Sequence, residues 1–206
     1  YGDESLMARP MDRVIKPLNQ MGADIAFKNK KIHIKKSNIK GGFLENITSS
    51  AQVKSAIIFA ALGAEKKTIL QESYYTRNHT ERLMAYLSNN IVYVRDRNIE
   101  INPLSFSGRD IEVAGDISKA SFLVAFGCLS KGANLIIKNC LINSSRIGLV
   151  NTLKKMGANI EIHNKKVKYG EPIGDVCVKY SSQLKNICIN PQDVRDMIDE
   201  IPVLSV

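Results

Sequence analysis

Short apolar stretches separated by polar turns run along the whole chain, and they are of two kinds. Residues 51–63 and 118–129 combine Ala with large apolar residues at helical spacing, which predicts two apolar helices. The other stretches are four to six residues long and contain Ile, Leu or Val between polar residues, which predicts strands. The predicted strands are Phe43–Ile47, Thr68–Gln71, Arg109–Val113 and Ala133–Lys138.

One segment of the chain occurs twice. Leu18–Ile25, with the sequence LNQMGADI, returns 135 residues later as Leu153–Ile160, with the sequence LKKMGANI. In both copies Gly follows Met at the end of an amphipathic helical pattern, where it ends a helix. A predicted Asn-Lys-Lys turn then follows at the same distance, at Asn29–Lys31 and at Asn164–Lys166.

A looser third copy lies between these two. A helical pattern covers Thr80–Leu87 and leads to a predicted strand at Ile91–Arg95, a turn at Asp96–Asn98 and a strand at Ile99–Ile101. The length of one repeat is therefore roughly half of the 135-residue spacing. This length exceeds the roughly 20 to 50 residues of solenoid repeats. A repeat of this length can form a small fold by itself.

Each copy gives the same order of elements. The order is a helix, two strands around a polar turn, a further strand, an Ala-rich helix and a closing strand. Read cyclically, this order is a βαβαββ unit. Three such units can close around their own apolar helices. A single open α/β sheet is the alternative, and the internal repeat favours the closed arrangement. We therefore predict an α/β protein of repeated βαβαββ units.

The stretch from Asn102 to Gly108 is the best candidate for a domain boundary, because it contains Pro, Gly and two serines with little periodicity. We expect residues 1–108 to form the later part of one domain and residues 109–206 to form the early part of a second. The chain begins without Met and stops in the apolar run Ile201–Val206. We expect it to be an internal fragment of a longer protein, in which both domains are incomplete.

Composition narrows the class of protein. The 206 residues are 44% hydrophobic, which is enough for a core, and no apolar run approaches the roughly 20 residues that span a bilayer. The four cysteines match no zinc-binding spacing and the first residues lack a signal-peptide pattern, so we expect a cytoplasmic protein without a metal site. The net charge of +9 comes mostly from lysines in short polar pieces, which indicates a solvated basic surface that attracts acidic substrates.

Hydroxyl residues at the start of the first apolar helix are the strongest candidate for a binding site. Thr48, Ser49 and Ser50 directly precede residues 51–63, so they fall at a helix N-terminus. Free backbone N–H groups, the positive end of the helix dipole and the amide of Gln52 together suit an anionic ligand that carries hydroxyl groups. An ordinary serine-capped core helix is the alternative.

Two arginines are further candidates for anion binding. Arg9 stands at a predicted helix start, where a cation opposes the helix dipole, and its planar guanidinium suits a carboxylate or phosphate. A solvated surface arginine is the alternative. Arg77 lies in a strand-to-helix loop, and Asn143–Arg146 is the corresponding loop of the next copy. His79, close to Arg77, is interpreted as structural.

Asp199 is the candidate for acid–base chemistry. It lies with Glu200 between apolar residues, and an acidic group in such a setting is typical of a proton acceptor. A helix cap is the alternative role. The sequence contains no glycine-rich phosphate loop, metal-ligand cluster or nucleophile elbow.

Five motifs, taken in order, resemble those of the 5-enolpyruvylshikimate-3-phosphate synthase family. They are Gly2–Met11 (GDESLMARPM), Ser50–Ala56 (SAQVKSA), Arg77–Glu81 (RNHTE), Ala114–Ala120 (AGDISKA) and Met197–Pro202 (MIDEIP). Because the motifs occur in the right order along the whole chain, the resemblance is specific. One departure is Asn78, where the family commonly has Asp.

The resemblance implies a transferase that is the target of glyphosate. It implies that this transferase belongs to the shikimate pathway, which leads to chorismate and the aromatic amino acids. It implies transfer of the enolpyruvyl group of phosphoenolpyruvate to the 5-hydroxyl of shikimate 3-phosphate, with release of phosphate and without a cofactor. The implied fold is two domains of three βαβαββ units each. The implied full-length enzyme is a cytoplasmic monomer with no nucleic-acid or membrane partner.

The resemblance also implies substrate-binding residues. Arg9 is implied to bind phosphoenolpyruvate, and Gln52 to contact both substrates. Ser50 and Ala51 are implied to hold shikimate 3-phosphate at the helix start, and Arg77 to add further contacts to it.

The implied catalytic residue is Asp199, which would bind the shikimate hydroxyl groups and accept the proton of the attacking one. The family's remaining catalytic lysines, arginines and glutamate fall outside this chain. We therefore expect the chain by itself to be inactive.

Two alternatives stay open. The related enolpyruvyl transferase that acts on UDP-N-acetylglucosamine shares the implied fold, but it uses a reactive Cys ahead of its Arg-Pro, and Gly2–Pro10 contains no Cys. A basic nucleic-acid-binding α/β protein is the non-enzymatic alternative.

Overall fold

The computed structural model describes residues 3–46, 48–88, 92–105 and 107–206. Some residues of the predicted elements and motifs therefore lie outside the described residues, namely Gly2, Ile47, Ile91 and Phe106. The chain divides into two compact units, Tyr1–Arg109 and Asp110–Val206. The assignment of residues 1–108 and 109–206 to two domains of a longer protein stays a prediction.

The described part of the first unit contains four helices and six strands. The helices are α1 (Glu4–Met7), α2 (Asp12–Gln20), α3 (Ala51–Leu62) and α4 (His79–Leu87). The strands are β1 (Asp24–Lys28), β2 (Lys31–Lys35), β3 (Gly42–Asn46), β4 (Thr68–Glu72), β5 (Val92–Arg95) and β6 (Asn98–Ile101).

The described part of the second unit has fewer, longer strands. The helices are α5 (Ile117–Leu129), α6 (Gly148–Lys155), α7 (Pro191–Arg195) and α8 (Ile201–Leu204), with a 3-10 turn at Ile198–Glu200. The strands are β7 (Asn134–Leu141), β8 (Asn159–Lys168) and β9 (Glu171–Lys179).

The predicted βαβαββ order is confirmed in the first unit, where it is the series β3-α3-β4-α4-β5-β6. The sheet order is β3-β4-β6-β5, with β3 parallel to β4 and the other pairs antiparallel. Because parallel neighbours need a crossover connection, α3 lies against this sheet. Val53, Ile57 and Ala61 of α3 are buried in one core with Leu70 and Ile101 of the sheet.

The segment of the first unit that precedes this βαβαββ series also has the structure that the repeat predicts. Helix α2 ends at Gln20, and Gly22, with a φ of +102°, turns the chain into β1. A Cβ atom at Gly22 would lie 2.7 Å from the Asn38 carbonyl oxygen, so this close approach requires glycine. Strands β1 and β2 form an antiparallel hairpin around Asn29 and Lys30, which both have positive φ, as in a type I′ turn.

The second unit repeats the order with its first strand reduced to a single bridge. Residues 109–114 have no regular secondary structure, so the predicted strand Arg109–Val113 is wrong, and only Gly115 forms a parallel bridge, to Cys140. Val113 is 88% exposed. The alternating apolar side chains of residues 109–113 therefore have no surface to pack against within the described part of this unit. Alternation alone does not make a strand.

The predicted turn at Asn164–Lys166 is also wrong, because β8 continues through it. The register of β8 against β9 shifts between His163 and Lys166, which marks a β-bulge, and the hairpin turn falls later, at Tyr169 and Gly170. Asn164 has a φ of +51°. Asparagine tolerates this left-handed conformation both in a turn and in a bulge, so the residue type alone does not separate the two.

One aspartate ties two bulges together. The Asp175 carboxylate, on β9, accepts hydrogen bonds from the Asn164 side-chain amide at 2.7 Å and from the Asn139 backbone N–H at 2.9 Å. Asn139 also has a positive φ and lies in the bulge of β7. These two hydrogen bonds hold the pKa of Asp175 below its ordinary value.

Helix α5 buries only one of its faces within its unit. Val124 and Cys128 lie in the core with β9, whereas Phe122 and Phe126 on the opposite side are 68% and 57% exposed. This side of α5 and the end of α8 line an apolar cavity of about 320 Å³. A helix that is apolar all round is expected to be buried on all sides, so α5 exposes a surface suited to further contacts.

Candidate functional site

The start of α3 has the predicted hydroxyl cap. The Ser50 Oγ accepts a hydrogen bond from the Val53 backbone N–H at 3.4 Å, and the first turn of α3 contains no acidic residue. Ala51 is half-buried and the Gln52 side chain is exposed at the same helix start. The structure therefore brings Ser50, Ala51 and Gln52 together around the positive end of a twelve-residue helix.

The loop that leads into α3 is shaped by a buried asparagine. Asn46, at the end of β3, is 3% exposed. Its side-chain oxygen accepts hydrogen bonds from the Thr48 backbone N–H at 3.1 Å and from the Thr48 Oγ1 at 2.6 Å. Such a turn fixes the path of the backbone just before the cap residue.

A buried ion cluster lies directly beneath the start of α3. Lys54 is 1% exposed, and its Nζ lies 3.2 Å from both carboxylate oxygens of Glu72 and 2.6 Å from Glu81 Oε1. This cluster was not predicted from the sequence. The available signal was a lysine within the apolar face of α3, flanked by the buried Val53 and Ile57, because a buried lysine requires an acidic partner.

Two carboxylates share the one ammonium group of this cluster. Burial raises the pKa of Glu81 above its ordinary value of 4.5, although the charge of Lys54 and its hydrogen bond act in the opposite direction. Glu81 Oε2 is buried and has no hydrogen-bond partner among the residues that the structure describes.

Arg77 lies in the loop that connects β4 to α4, and its side chain is half-buried. Its neighbour Thr76 donates a hydrogen bond from Oγ1 to Glu72 Oε1 at 2.7 Å. After Arg77, the Thr80 and Ser55 hydroxyl groups lie 2.6 Å apart, which joins α4 to α3. Both ends of the loop that carries Arg77 are thus attached to the first two turns of α3.

The structure places Arg9 and His79 at two other points of the first unit. Arg9 follows the short helix α1 and precedes α2, and its side chain is exposed. Pro10 lies before α2, whose N-cap is Met11. His79 is the first residue of α4, which agrees with a structural position but does not test its role.

Asp199 belongs to the second unit and lies in the 3-10 turn before α8. Its side chain is 57% exposed, and its Oδ2 lies 3.6 Å from the Nη1 of Arg146. The apolar surroundings suggested by the sequence are instead those of its neighbour Glu200, which is 3% exposed. Glu200 Oε1 is buried without a hydrogen-bond partner in the described ranges of the chain.

Arg146 connects two carboxylates in the second unit. Its Nη2 donates to Asp116 Oδ1 at 2.8 Å, and the Asp116 carboxylate also caps α5 by accepting from the Ser118 N–H at 3.0 Å. Burial acts to raise the pKa of Asp116, but these two hydrogen bonds and the charge of Arg146 lower it below its ordinary value. The Arg146 side chain is only 13% exposed, so its position is well defined.

The loop that carries Arg146 is built like the loop before α3. The buried Asn143 accepts hydrogen bonds at its side-chain oxygen from the Ser145 backbone N–H at 3.0 Å and the Ser145 Oγ at 2.8 Å. The Asn143 amide nitrogen donates to Glu171 at 3.1 Å. The loop was predicted from the sequence, whereas the pairing of Arg146 with Asp116 was not.

The two βαβαββ series can be compared position by position. Helix α3 corresponds to α5, and the loop from β4 to α4 corresponds to the loop from β7 to α6. Arg77 and Arg146 therefore occupy equivalent loops, while Ser50 and Asp116 are equivalent caps. In the second unit the loop arginine, Arg146, binds the carboxylate of the cap residue Asp116. In the first unit the equivalent cap residue, Ser50, has a neutral hydroxyl group.

The described residues contain no group of three or more His, Cys, Asp or Glu side chains arranged to hold a metal ion. None of their helices has both the length and the apolar character needed to cross a membrane.

Comparison with known sequences covers the whole chain. Residues 1–206 match the family model described as EPSP synthase (3-phosphoshikimate 1-carboxyvinyltransferase). The 3-phosphoshikimate 1-carboxyvinyltransferase of Leptospira interrogans serogroup Icterohaemorrhagiae serovar copenhageni is 41% identical over 210 residues, covering 100% of this chain and 48% of the relative. That of Caldicellulosiruptor saccharolyticus is 40% identical over 213 residues, covering 100% and 49%. The chain thus spans about half the length of the curated relatives it matches.

Comparison with solved structures agrees. An EPSP synthase from Acinetobacter baumannii has a TM-score of 0.87 and 36% identity, covering 98% of this chain and 47% of that protein. The enolpyruvyl transferase NikO from Streptomyces tendae has a TM-score of 0.64 and 12% identity over 85% of this chain and 43% of its own, which shows the fold alone. The predicted α/β enolpyruvyl transferase fold is confirmed, and the chain belongs to the EPSP synthase family.

Proposed function

We propose that the full-length protein containing this chain transfers the enolpyruvyl group of phosphoenolpyruvate to the 5-hydroxyl of shikimate 3-phosphate. The products are 5-enolpyruvylshikimate 3-phosphate and phosphate, on the route to chorismate and the aromatic amino acids. The observation that carries this proposal is the match of all 206 residues to the EPSP synthase family. Because the chain spans about half of its relatives, we propose that it contains part of the active site and is inactive alone.

In this proposal the start of α3 binds shikimate 3-phosphate. Ser50, Ala51 and Gln52 lie at the positive end of a helix with a neutral cap, which suits an anionic ligand with hydroxyl groups. Arg77 adds a planar cation from the adjacent loop. The equivalent pair in the second unit supports this role, because Arg146 there binds the carboxylate of Asp116 at the start of α5.

Arg9 and Asp199 complete the residues that this chain contributes. Arg9 is exposed, and its guanidinium suits the carboxylate and phosphate groups of phosphoenolpyruvate. Asp199 is exposed enough to reach a substrate and accepts the proton of the attacking 5-hydroxyl. In the addition step, the new bond joins that oxygen to C2 of phosphoenolpyruvate, and the methylene carbon of phosphoenolpyruvate gains a proton. In the elimination step, the same carbon loses a proton and the C–O bond to phosphate breaks.

We further propose that the full-length protein works as a monomer in the cytoplasm, without nucleic-acid or membrane partners and without a cofactor. The four cysteines support a reducing compartment, because all are free thiols and two of them, Cys128 and Cys140, are buried. Burial raises the pKa of both buried thiols, which keeps them protonated and unreactive.

The match to the EPSP synthase family does not favour the two alternatives, transfer to UDP-N-acetylglucosamine and nucleic-acid binding. A phosphate-release assay on the full-length protein separates them. We expect turnover with phosphoenolpyruvate and shikimate 3-phosphate and none with UDP-N-acetylglucosamine. The reverse preference, or binding of nucleic acid without turnover, would overturn the proposal.

Variants locate the site within this assay. Gln52→Ala is expected to raise the KM for shikimate 3-phosphate about tenfold or more, since a hydrogen bond to a charged group contributes roughly 1.5 to 3 kcal/mol. Gln71→Ala, at an exposed position of β4, is the matched control and is expected to leave kinetics unchanged. Equal kinetics for the two variants would remove Gln52 from the site. The 206-residue chain alone is expected to release no phosphate.

A further inference from the structure

The buried ions of Lys54, Glu72 and Glu81, here called the Lys54 cluster, connect three elements of the first unit. Lys54 lies on the second turn of α3, Glu72 is the last residue of β4, and Glu81 lies in the first turn of α4. Each of the three side chains is at most 7% exposed. The cluster therefore joins the helix with the candidate anion site to both sides of the loop at residues 73–78.

The contacts of the cluster extend to the residue beside Arg77. Lys54 binds Glu72 at 3.2 Å, and Glu72 accepts a hydrogen bond from the Thr76 Oγ1 at 2.7 Å. On the other side of Arg77, Lys54 binds Glu81 at 2.6 Å. One ammonium group thus fixes the chain both before and after Arg77.

Stability alone does not account for such a cluster. Removing three ionisable groups from water costs several kcal/mol per ion, and well-packed apolar residues of similar size are often as stable or more stable. Glu81 Oε2 is moreover buried without a hydrogen-bond partner among the described residues, which adds to the cost. What the ions supply is geometry, because each contact holds one element at a fixed distance and direction from α3.

We infer that Lys54 is a positioning residue for substrate binding: through Glu72 and Glu81 it fixes the loop at residues 73–78, and with it Arg77, relative to the start of α3. This inference rests on the proposed function, in which both Arg77 and the start of α3 bind shikimate 3-phosphate. It predicts that loss of the cluster weakens the use of shikimate 3-phosphate even where the fold is intact.

The test compares variants of the full-length protein. Lys54→Met leaves two buried carboxylates without a cation and is expected to lower the melting temperature. The triple variant Lys54→Met, Glu72→Gln, Glu81→Gln removes all three charges and is expected to regain stability. Its KM for shikimate 3-phosphate is nevertheless expected to stay at least about tenfold above wild type, which is about 1.4 kcal/mol, while the KM for phosphoenolpyruvate changes less than about twofold.

A milder variant covers the case in which the triple variant does not fold. Thr76→Val keeps the side-chain shape and removes only the hydrogen bond to Glu72. The KM for shikimate 3-phosphate is therefore expected to rise, while the melting temperature falls less than in Lys54→Met. Lys67→Met is the matched control, because it removes an exposed ion pair with Glu100 in the same sheet. Wild-type KM values for shikimate 3-phosphate in Thr76→Val, or in a stable triple variant, would overturn the inference.

Amide hydrogen exchange separates this inference from the proposed function. In Thr76→Val the amides of residues 73–78 are expected to exchange faster than in wild type, with the β1–β2 hairpin unchanged. This measurement needs no turnover. If wild type releases no phosphate, the proposed function fails, and the exchange rates alone decide the positioning role. Unchanged exchange at residues 73–78 refutes it.

Discussion

Replacement of Arg146 gives the sharpest test of the ion pairs in the second unit. The Nη2 of Arg146 lies 2.8 Å from Asp116, and the arginine is 13% exposed while the Asp116 side chain is 42% exposed. Hydrogen bonds to charged groups contribute about 1.5 to 3 kcal/mol when buried, and exposed ion pairs about 0 to 1 kcal/mol. A pair between these limits is expected to contribute about 1 to 2 kcal/mol, and Arg146→Ala is expected to lower the free energy of unfolding by that amount.

Arg146→Lys separates the two contacts of this arginine. A lysine carries a single point charge in place of a fork, so it can bind Asp116 or Asp199 but cannot bridge them in the same way. The variant is expected to regain part of the lost stability. Asp199 is the proposed proton acceptor and would no longer be held, so the kcat of the full-length protein is expected to fall about tenfold or more. The contact with Asp199 is longer, at 3.6 Å, and contributes little to stability.

Urea denaturation and phosphate release measure these two effects. The matched control is Lys155→Ala, which removes another ion pair of the same unit, with Asp193 at 2.7 Å, in which the lysine is half-exposed. This control is expected to change the free energy of unfolding by less than about 1 kcal/mol and to leave kcat unchanged. If Arg146→Ala is no less stable than Lys155→Ala, the value assigned to the Asp116 pair is wrong. If Arg146→Lys keeps the wild-type kcat, Arg146 does not hold Asp199 for catalysis.

Two further predictions concern the fold of the second unit. A Cβ atom at Gly148 would lie 2.6 Å from the carbonyl carbon and oxygen of Asp196, so Gly148→Ala is expected to destabilise the protein by about 1 to 3 kcal/mol, measured by urea denaturation; wild-type stability would contradict this contact. The pKa of Asp175 is lowered by hydrogen bonds from Asn164 and Asn139, so its contribution to stability is present above its ordinary value of 3.8 and is lost as the pH falls through the folded value. Asp175→Asn is therefore expected to make the free energy of unfolding fall less steeply below about pH 4, and an equal slope in the variant would refute this.

Local periodicity was enough to predict most elements of the fold. The spacing of apolar residues in α3 and the Met-Gly pair after α2 reflect contacts within a few residues, and both predictions are confirmed. The strand at residues 109–113 failed because a strand needs a partner at a distance along the chain, and only Gly115 finds one. The predicted turn at Asn164–Lys166 was wrong because a bulge and a turn select the same backbone conformation at Asn164.

The parts of the candidate site that could be predicted are the residues whose contacts lie within a few positions along the chain. Ser50 could be assigned as a cap because capping depends on the next three residues, and the structure confirms that hydrogen bond. Lys54 could not be assigned partners, because Glu72 and Glu81 are 18 and 27 residues away along the chain. A lysine in an apolar face shows that a buried acidic partner exists, but not which of the 20 acidic residues it is.

The internal repeat contained information that pattern analysis of one copy did not use. Aligning the two Ala-rich helices places Asp116 on Ser50, and aligning the following loops places Arg146 on Arg77. A carboxylate at a helix start and an arginine in the adjacent loop have opposite charges, so their pairing in the second unit could have been predicted from this alignment. In the second unit the chain supplies the anion at the helix start, whereas Ser50 leaves the equivalent position of the first unit neutral. The difference between the two caps is therefore a physical reason to propose an external anion for α3 and none for α5.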